Sequence, residues 1–130
     1  YIIDFLVRRR GLSYKEAASV MAAPFWGTIS RMDPEEKARL TYLRAGFPGL
    51  LVTGPFSILV GFNGGIMALN DRLKLRSMVV GEKGDNVYIA SEESAIRVIE
   101  PELDTLFAPR GGEPVVYQLN EGILPGEERR

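Results

Sequence analysis

The first half of the chain carries apolar residues at helical spacing, and the second half carries short, nearly continuous apolar runs between turn signals. Ile2, Ile3, Phe5 and Leu6 precede Arg8 to Arg10 and Gly11. Cations in a last turn and glycine just beyond it are what stops a helix. Ser13 and Glu16 have capping-box spacing, and Ala17, Val20 and Met21 follow as a buried stripe closed by Pro24. Asp33-Pro34-Glu35-Glu36 combines a cap, a first-turn proline and acidic residues, so it predicts a third helix. Leu40, Leu43 and Phe47 mark its stripe, and Gly46 with Pro48-Gly49 ends it.

After Gly54-Pro55 the period shortens. Phe56 to Gly61 and Ile66 to Leu69 are apolar on both faces, with Asn63-Gly64 between them as a hairpin signal in which both residues tolerate positive φ. Met78 to Val80 leads through Gly84-Asp85 to Val87 to Ala90, a second predicted hairpin. Ser91-Glu92-Glu93 predicts a short helical turn through Ile96. Extended segments near Thr105 to Ala108 and Val115 to Leu119 flank Arg110-Gly111-Gly112. The expected domain covers 1–120, and 121–130 is expected to be a polar tail that frays. The expected class is α+β, with helices first and then an antiparallel meander. Strands apolar on both faces need cover on both sides. The predicted helices supply one layer, so the other is expected from a partner or an upstream segment.

Composition narrows the chemistry. The 130 residues hold no cysteine and no histidine, with Lys plus Arg at 16 against Asp plus Glu at 17. The chain therefore has no thiolate nucleophile, no imidazole base, no disulfide and no nitrogen or sulfur set for zinc. Balanced charge argues against nucleic-acid binding, and no apolar run approaches the ~20 residues of a membrane span. The expected location is cytoplasmic.

Several features invite chemistry and have a plainer explanation. Arg8 to Arg10 would suit an anion but also suit a helix end. Gly61 to Gly65 lacks the Gly-Lys-Ser/Thr ending of a phosphate loop. Glu92, Glu93, Glu100, Glu102 and Asp104 lack calcium-loop spacing. Trp26 reads as a core or interface anchor. The polar stretch Asp71 to Arg76 stands between two apolar strands, where Asp71 is expected to pair with Arg72 or Arg76, or else to face a ligand or partner.

Gly54 to Arg76 (GPFSILVGFNGGIMALNDRLKLR) followed by Val87 to Glu92 (VYIASE) resembles the glutaminase domain of glutamate synthases. That family shows Asp-Gly-Pro, an apolar strand, Asp-Gly-x, a second strand, Asp-Arg-Asn-Gly-Leu-Arg-Pro and later Ala-Ser-Glu. Gly11-Leu12-Ser13, Glu16-Ala17, Met21, Pro24 and Trp26 follow its upstream helical pattern. The chain departs where Leu73 and Lys74 replace Asn-Gly and Ser77 replaces proline. Arg72-Leu73-Lys74-Leu75-Arg76 is similar to the archaeal-type, separately encoded glutaminase subunits.

The resemblance implies a class II glutamine amidotransferase with the N-terminal nucleophile hydrolase fold, a four-layer αββα sandwich. In that family an N-terminal cysteine attacks the glutamine amide and its own α-amino group is the base. The ammonia passes to a synthase. The chain begins at Tyr1, so the resemblance implies its C-terminal portion. The cysteine would lie on an upstream segment, L-glutamine would be the substrate of the complete site, and a glutamate-synthase-type domain or subunit would be the partner. No cofactor or metal is implied, and no catalytic or substrate-binding residue falls in this chain. Asp71, Arg72, Arg76, Ser91 and Glu92 are expected to be structural or interface residues. The alternative is a non-catalytic binding or assembly module that keeps the fold.

Overall fold

The computed structural model describes residues 1–119, so the tail expected over 121–130 lies outside the described residues. Helix α1 (Ile2–Asp4) runs on as a π-helical turn, Phe5–Arg9. Next come α2 (Tyr14–Met21), α3 (Trp26–Ile29) and α4 (Pro34–Gly46). The strands are β1 (Ser57–Phe62), β2 (Gly65–Asn70), β3 (Val79–Lys83) and β4 (Asn86–Ala90), then α5 (Glu93–Ile99), β5 (Thr105–Phe107) and β6 (Val115–Gln118). The fold is mixed helix and antiparallel sheet.

The helix starts follow their cap residues. Ser13 Oγ accepts from Glu16 N at 3.1 Å while Glu16 Oε2 accepts from Ser13 N at 2.9 Å, closing the capping box. Asp33 Oδ1 accepts from Glu36 N at 3.1 Å and fixes the start of α4. Helix α2 is buried on two sides. Ala18 and Met21 pack on Met67 and Leu69 of the sheet, while Ala17 and Val20 pack with Leu6 and Leu43. The short helix α3 carries no capping side-chain bond at Phe25, which explains why sequence signals did not announce it.

The strands do not form one meander. They form two three-stranded sheets, ordered β1-β2-β6 and β4-β3-β5. The last strand returns to the first hairpin, with Met67 opposite Val116. Local turn signals reveal hairpins, but a return across fifty residues leaves no local mark. Gly65 permits it: a Cβ there would meet the Tyr117 carbonyl oxygen at 2.5 Å. In the β1–β2 turn only Gly64 takes positive φ (81°), not both turn residues.

Register sets the layers. Ile58, Val60, Phe62, Met67, Leu69 and Val116 share the face against the helices. Tyr117 faces the other way and reaches Glu82 on β3, so the two sheets meet there. Gly81, beside Glu82 and therefore on the opposite face, looks toward Leu103 and Ile96 of α5. The first sheet thus packs on α2, and the second on α5. The second sheet of this chain meets the first at Tyr117 and Glu82. Leu59 of β1 is exposed.

Candidate functional site

Three polar constructions stand out on this frame. The first is the turn after β2. Asp71 is 2% exposed and pairs with neither arginine, contrary to expectation. Its carboxylate accepts from backbone N–H groups instead: Leu75 at 2.9 Å, Arg76 at 3.2 Å and Phe56 at 3.3 Å. The Asp71 N–H donates to the Phe56 carbonyl at 2.9 Å, so the entry to β1 and the exit from β2 are tied reciprocally. Burial works against ionisation here. The backbone donors outweigh it and hold the Asp71 carboxyl below the usual range.

Lys74 has a φ of 53°, the only positive value outside glycine among the described residues. The turn therefore forms with a Cβ-bearing residue in the left-handed region. Gly111 packs directly on this turn: a Cβ there would meet the Arg72 carbonyl oxygen at 2.6 Å and the Lys74 nitrogen at 2.9 Å. The Arg76 side chain is exposed, and this residue contributes through its backbone. Its carbonyl accepts from Asn70 Nδ2 at 3.3 Å, and Asn70 Oδ1 is buried with no hydrogen-bond partner.

The second construction lies at Phe25-Trp26. Arg72 stacks over Phe25 at 4.3 Å and donates to the Ala23 carbonyl at 3.3 Å. Arg44, from the last turn of α4, stacks over Trp26 at 4.3 Å and donates to the Pro24 carbonyl. Burial, then the nearby charge of Arg72, pushes the Arg44 guanidinium below its ordinary value. Trp26 is 51% exposed, so it is a surface residue and not a core anchor. Beside it is an apolar depression of about 280 Å³.

The third is the cleft of about 850 Å³ between the sheets at their Gly64 and Gly84 turns. Glu82 accepts from Tyr117 Oη at 2.5 Å and from Thr105 Oγ1 at 2.9 Å. These hydroxyls, Tyr117 first, lower the Glu82 carboxyl against the opposing effect of burial. Burial and the bond to Glu82 push the Tyr117 phenol well above its ordinary value. The bond from Tyr117 on β6 to Glu82 on β3 makes this group a clamp between the sheets.

Ser91 and Glu92 lie apart from all three, exposed between β4 and α5. Glu92 occupies the N-cap position of α5 without a side-chain cap bond, and its Oε2 accepts from Ser94 Oγ at 3.4 Å. Among the described residues no group of three acidic side chains is arranged to hold a metal ion, and no helix is long and apolar enough to cross a membrane. Sequence reasoning brought Asp71 and Arg72 to attention and missed Arg44, Asn70, Glu82 and Tyr117. The cationic last turn of α4 was a usable signal for Arg44. Tyr117 and Glu82 are thirty-five residues apart and gave none.

No family model matches the chain, and no solved structure matches it. It is 41% identical over 119 residues to a protein of Archaeoglobus fulgidus described as uncharacterized, a match spanning 92% of this chain and 32% of the relative. It is 26% identical over 78 residues to an amidophosphoribosyltransferase of Methanocaldococcus jannaschii, covering 55% of this chain and 17% of that protein. The chain thus spans about a third or less of the length of these curated relatives.

Proposed function

We propose that the chain is the C-terminal portion of a glutamine amidotransferase domain of N-terminal nucleophile hydrolase type. Another segment carries the catalytic cysteine. The complete site hydrolyses L-glutamine to glutamate and ammonia, and a glutamate-synthase-like domain or subunit takes up the ammonia. The observation that carries this reading is a pair of antiparallel sheets, each with helix packed on it, that meet at Tyr117 and Glu82. Such an arrangement supports the layered sandwich that the motif order calls for. Lys74 supports it by adopting the left-handed conformation where the glutaminase motif has glycine. The M. jannaschii relative supports it through a name that denotes transfer of an amide nitrogen.

In this reading Asp71, Arg72 and Arg76 shape the turn that sends the chain from one sheet to the other. Ser91 and Glu92 lie at the end of β4, where the partner is met. None of them touches the reacting atoms. The chemistry belongs to the cysteine, its α-amino group and an oxyanion hole on the other segment.

The test is a glutaminase assay of the 130-residue chain alone and then joined to the segment that begins at the cysteine. The expected result is no hydrolysis from the chain alone and hydrolysis after joining. Activity in the chain alone would overturn the division of roles, and no activity after joining would overturn the enzyme reading.

A further inference from the structure

Phe25 and Trp26 are adjacent, exposed, and each covered by an arginine from a different part of the fold. Among the described residues neither Arg44 nor Arg72 takes part in an ion pair. Each donates to a backbone carbonyl of the segment 23–24, which leaves most of each five-donor guanidinium fork free. Two like charges are therefore held near each other with no ion-pair partner among the described residues, an arrangement an anion relieves.

The neighbouring depression decides what kind of anion. It is lined by Val20, Ala23, Trp26, Arg44, Phe47 and Leu51, so it is apolar with a cationic rim. At about 280 Å³ it lies just below the usual range for small-molecule sites and suits one protein side chain. Exposed tryptophan and arginine around an apolar socket are the composition of protein–protein hot spots.

We propose that this surface docks a polypeptide segment that places one aliphatic side chain in the socket and flanking carboxylates on Arg44 and Arg72. The inference is independent of the glutaminase reading. It concerns a surface on the helical layer, away from the cleft between the sheets.

Trp26 is the chain's one tryptophan, so its fluorescence reports on the socket directly. The probe is the peptide acetyl-Glu-Leu-Glu-Glu-amide, titrated into the full chain beside acetyl-Gln-Leu-Gln-Gln-amide and inorganic phosphate. The expected result is a saturable change in Trp26 emission with the acidic peptide, weakened by salt. The glutamine peptide should bind at least about tenfold more weakly. Arg44→Gln should weaken the acidic peptide by a similar factor, and Arg44→Lys less. Equal binding of the two peptides, or no saturable change, overturns the proposal. So does a full response to phosphate alone, which would mark a simple anion site. The peptide pair requires no substitution, so the outcome does not depend on any variant folding.

Discussion

Asp71 and Glu82 are both carboxylates that accept several hydrogen bonds, and both are held below the ordinary carboxylate range, yet they do different work. Asp71 is buried, and its donors are backbone N–H groups of the segments it joins. Glu82 lies in an open cleft, and its donors are hydroxyls on two other strands. Backbone donors are present whatever side chains stand at 56, 75 and 76, so Asp71 is a fixture of the turn. The donors of Glu82 are particular residues, Thr105 within its own sheet and Tyr117 on the other. The bond between the sheets is lost when Tyr117 is replaced.

The sharpest way to break the comparison is at Asp71. Replacing it with Ala leaves three backbone N–H groups without their acceptor in a buried place. At about 1–3 kcal/mol for each unsatisfied donor, partly relieved by relaxation and water, a loss of about 3–4 kcal/mol is expected. Asp71→Asn keeps one acceptor oxygen and should lose less. Urea unfolding followed by circular dichroism measures both, and equal stability of Asp71→Ala and the parent would refute the fixture.

The difference also explains what was legible in the sequence. The helix caps and helical stripes were readable because their partners lie three or four residues apart, as at Ser13 and Glu16. Asp71 was conspicuous as a charge between apolar strands, but its partners were misread. Sequence suggests side-chain pairs such as Asp71 with Arg76, whereas the protein uses the Arg76 backbone N–H, which every non-proline residue has. The return of β6 to β2 and the Glu82–Tyr117 contact were not legible at all. Both depend on chain closure over tens of residues, for which no local spacing exists. Arg44 and Arg72 meet the adjacent residues Trp26 and Phe25 from positions far apart in the chain, so these stacking contacts have no local spacing either.

A milder perturbation tests the other half. Tyr117→Phe removes one donor from Glu82 and leaves the ring in place, so Tm should fall by only a few degrees. The pH profile separates the two junctions. A carboxyl lowered by folding contributes stability above its unfolded pKa, about 4, and loses it as pH falls through the folded value. A phenol raised by folding contributes stability below its unfolded pKa, about 10, and loses it as pH climbs toward the folded value. The parent should therefore weaken at both ends. Tyr117→Phe should flatten the alkaline limb and leave most of the acid limb, which Asp71→Asn should flatten instead. Matching profiles for the two variants would show that the junctions are not separate.

The smallest expected effect is at Lys74, and its sign is the informative part. A side chain with Cβ in the left-handed region is strained by about 1–2 kcal/mol relative to glycine. Glycine returns part of that gain through the greater freedom of its unfolded chain, about 0.5–1 kcal/mol. Lys74→Gly should therefore stabilise by about 0.5 kcal/mol, seen as a higher denaturant midpoint at unchanged slope. Lys74→Val should destabilise, because branching at Cβ worsens the same clash. The contrast isolates backbone conformation from charge, since both substitutions remove the ammonium and only one removes Cβ. A destabilised Lys74→Gly would mean that the lysine side chain holds the turn. Its agreement with the glycine of the glutaminase motif would then be coincidence.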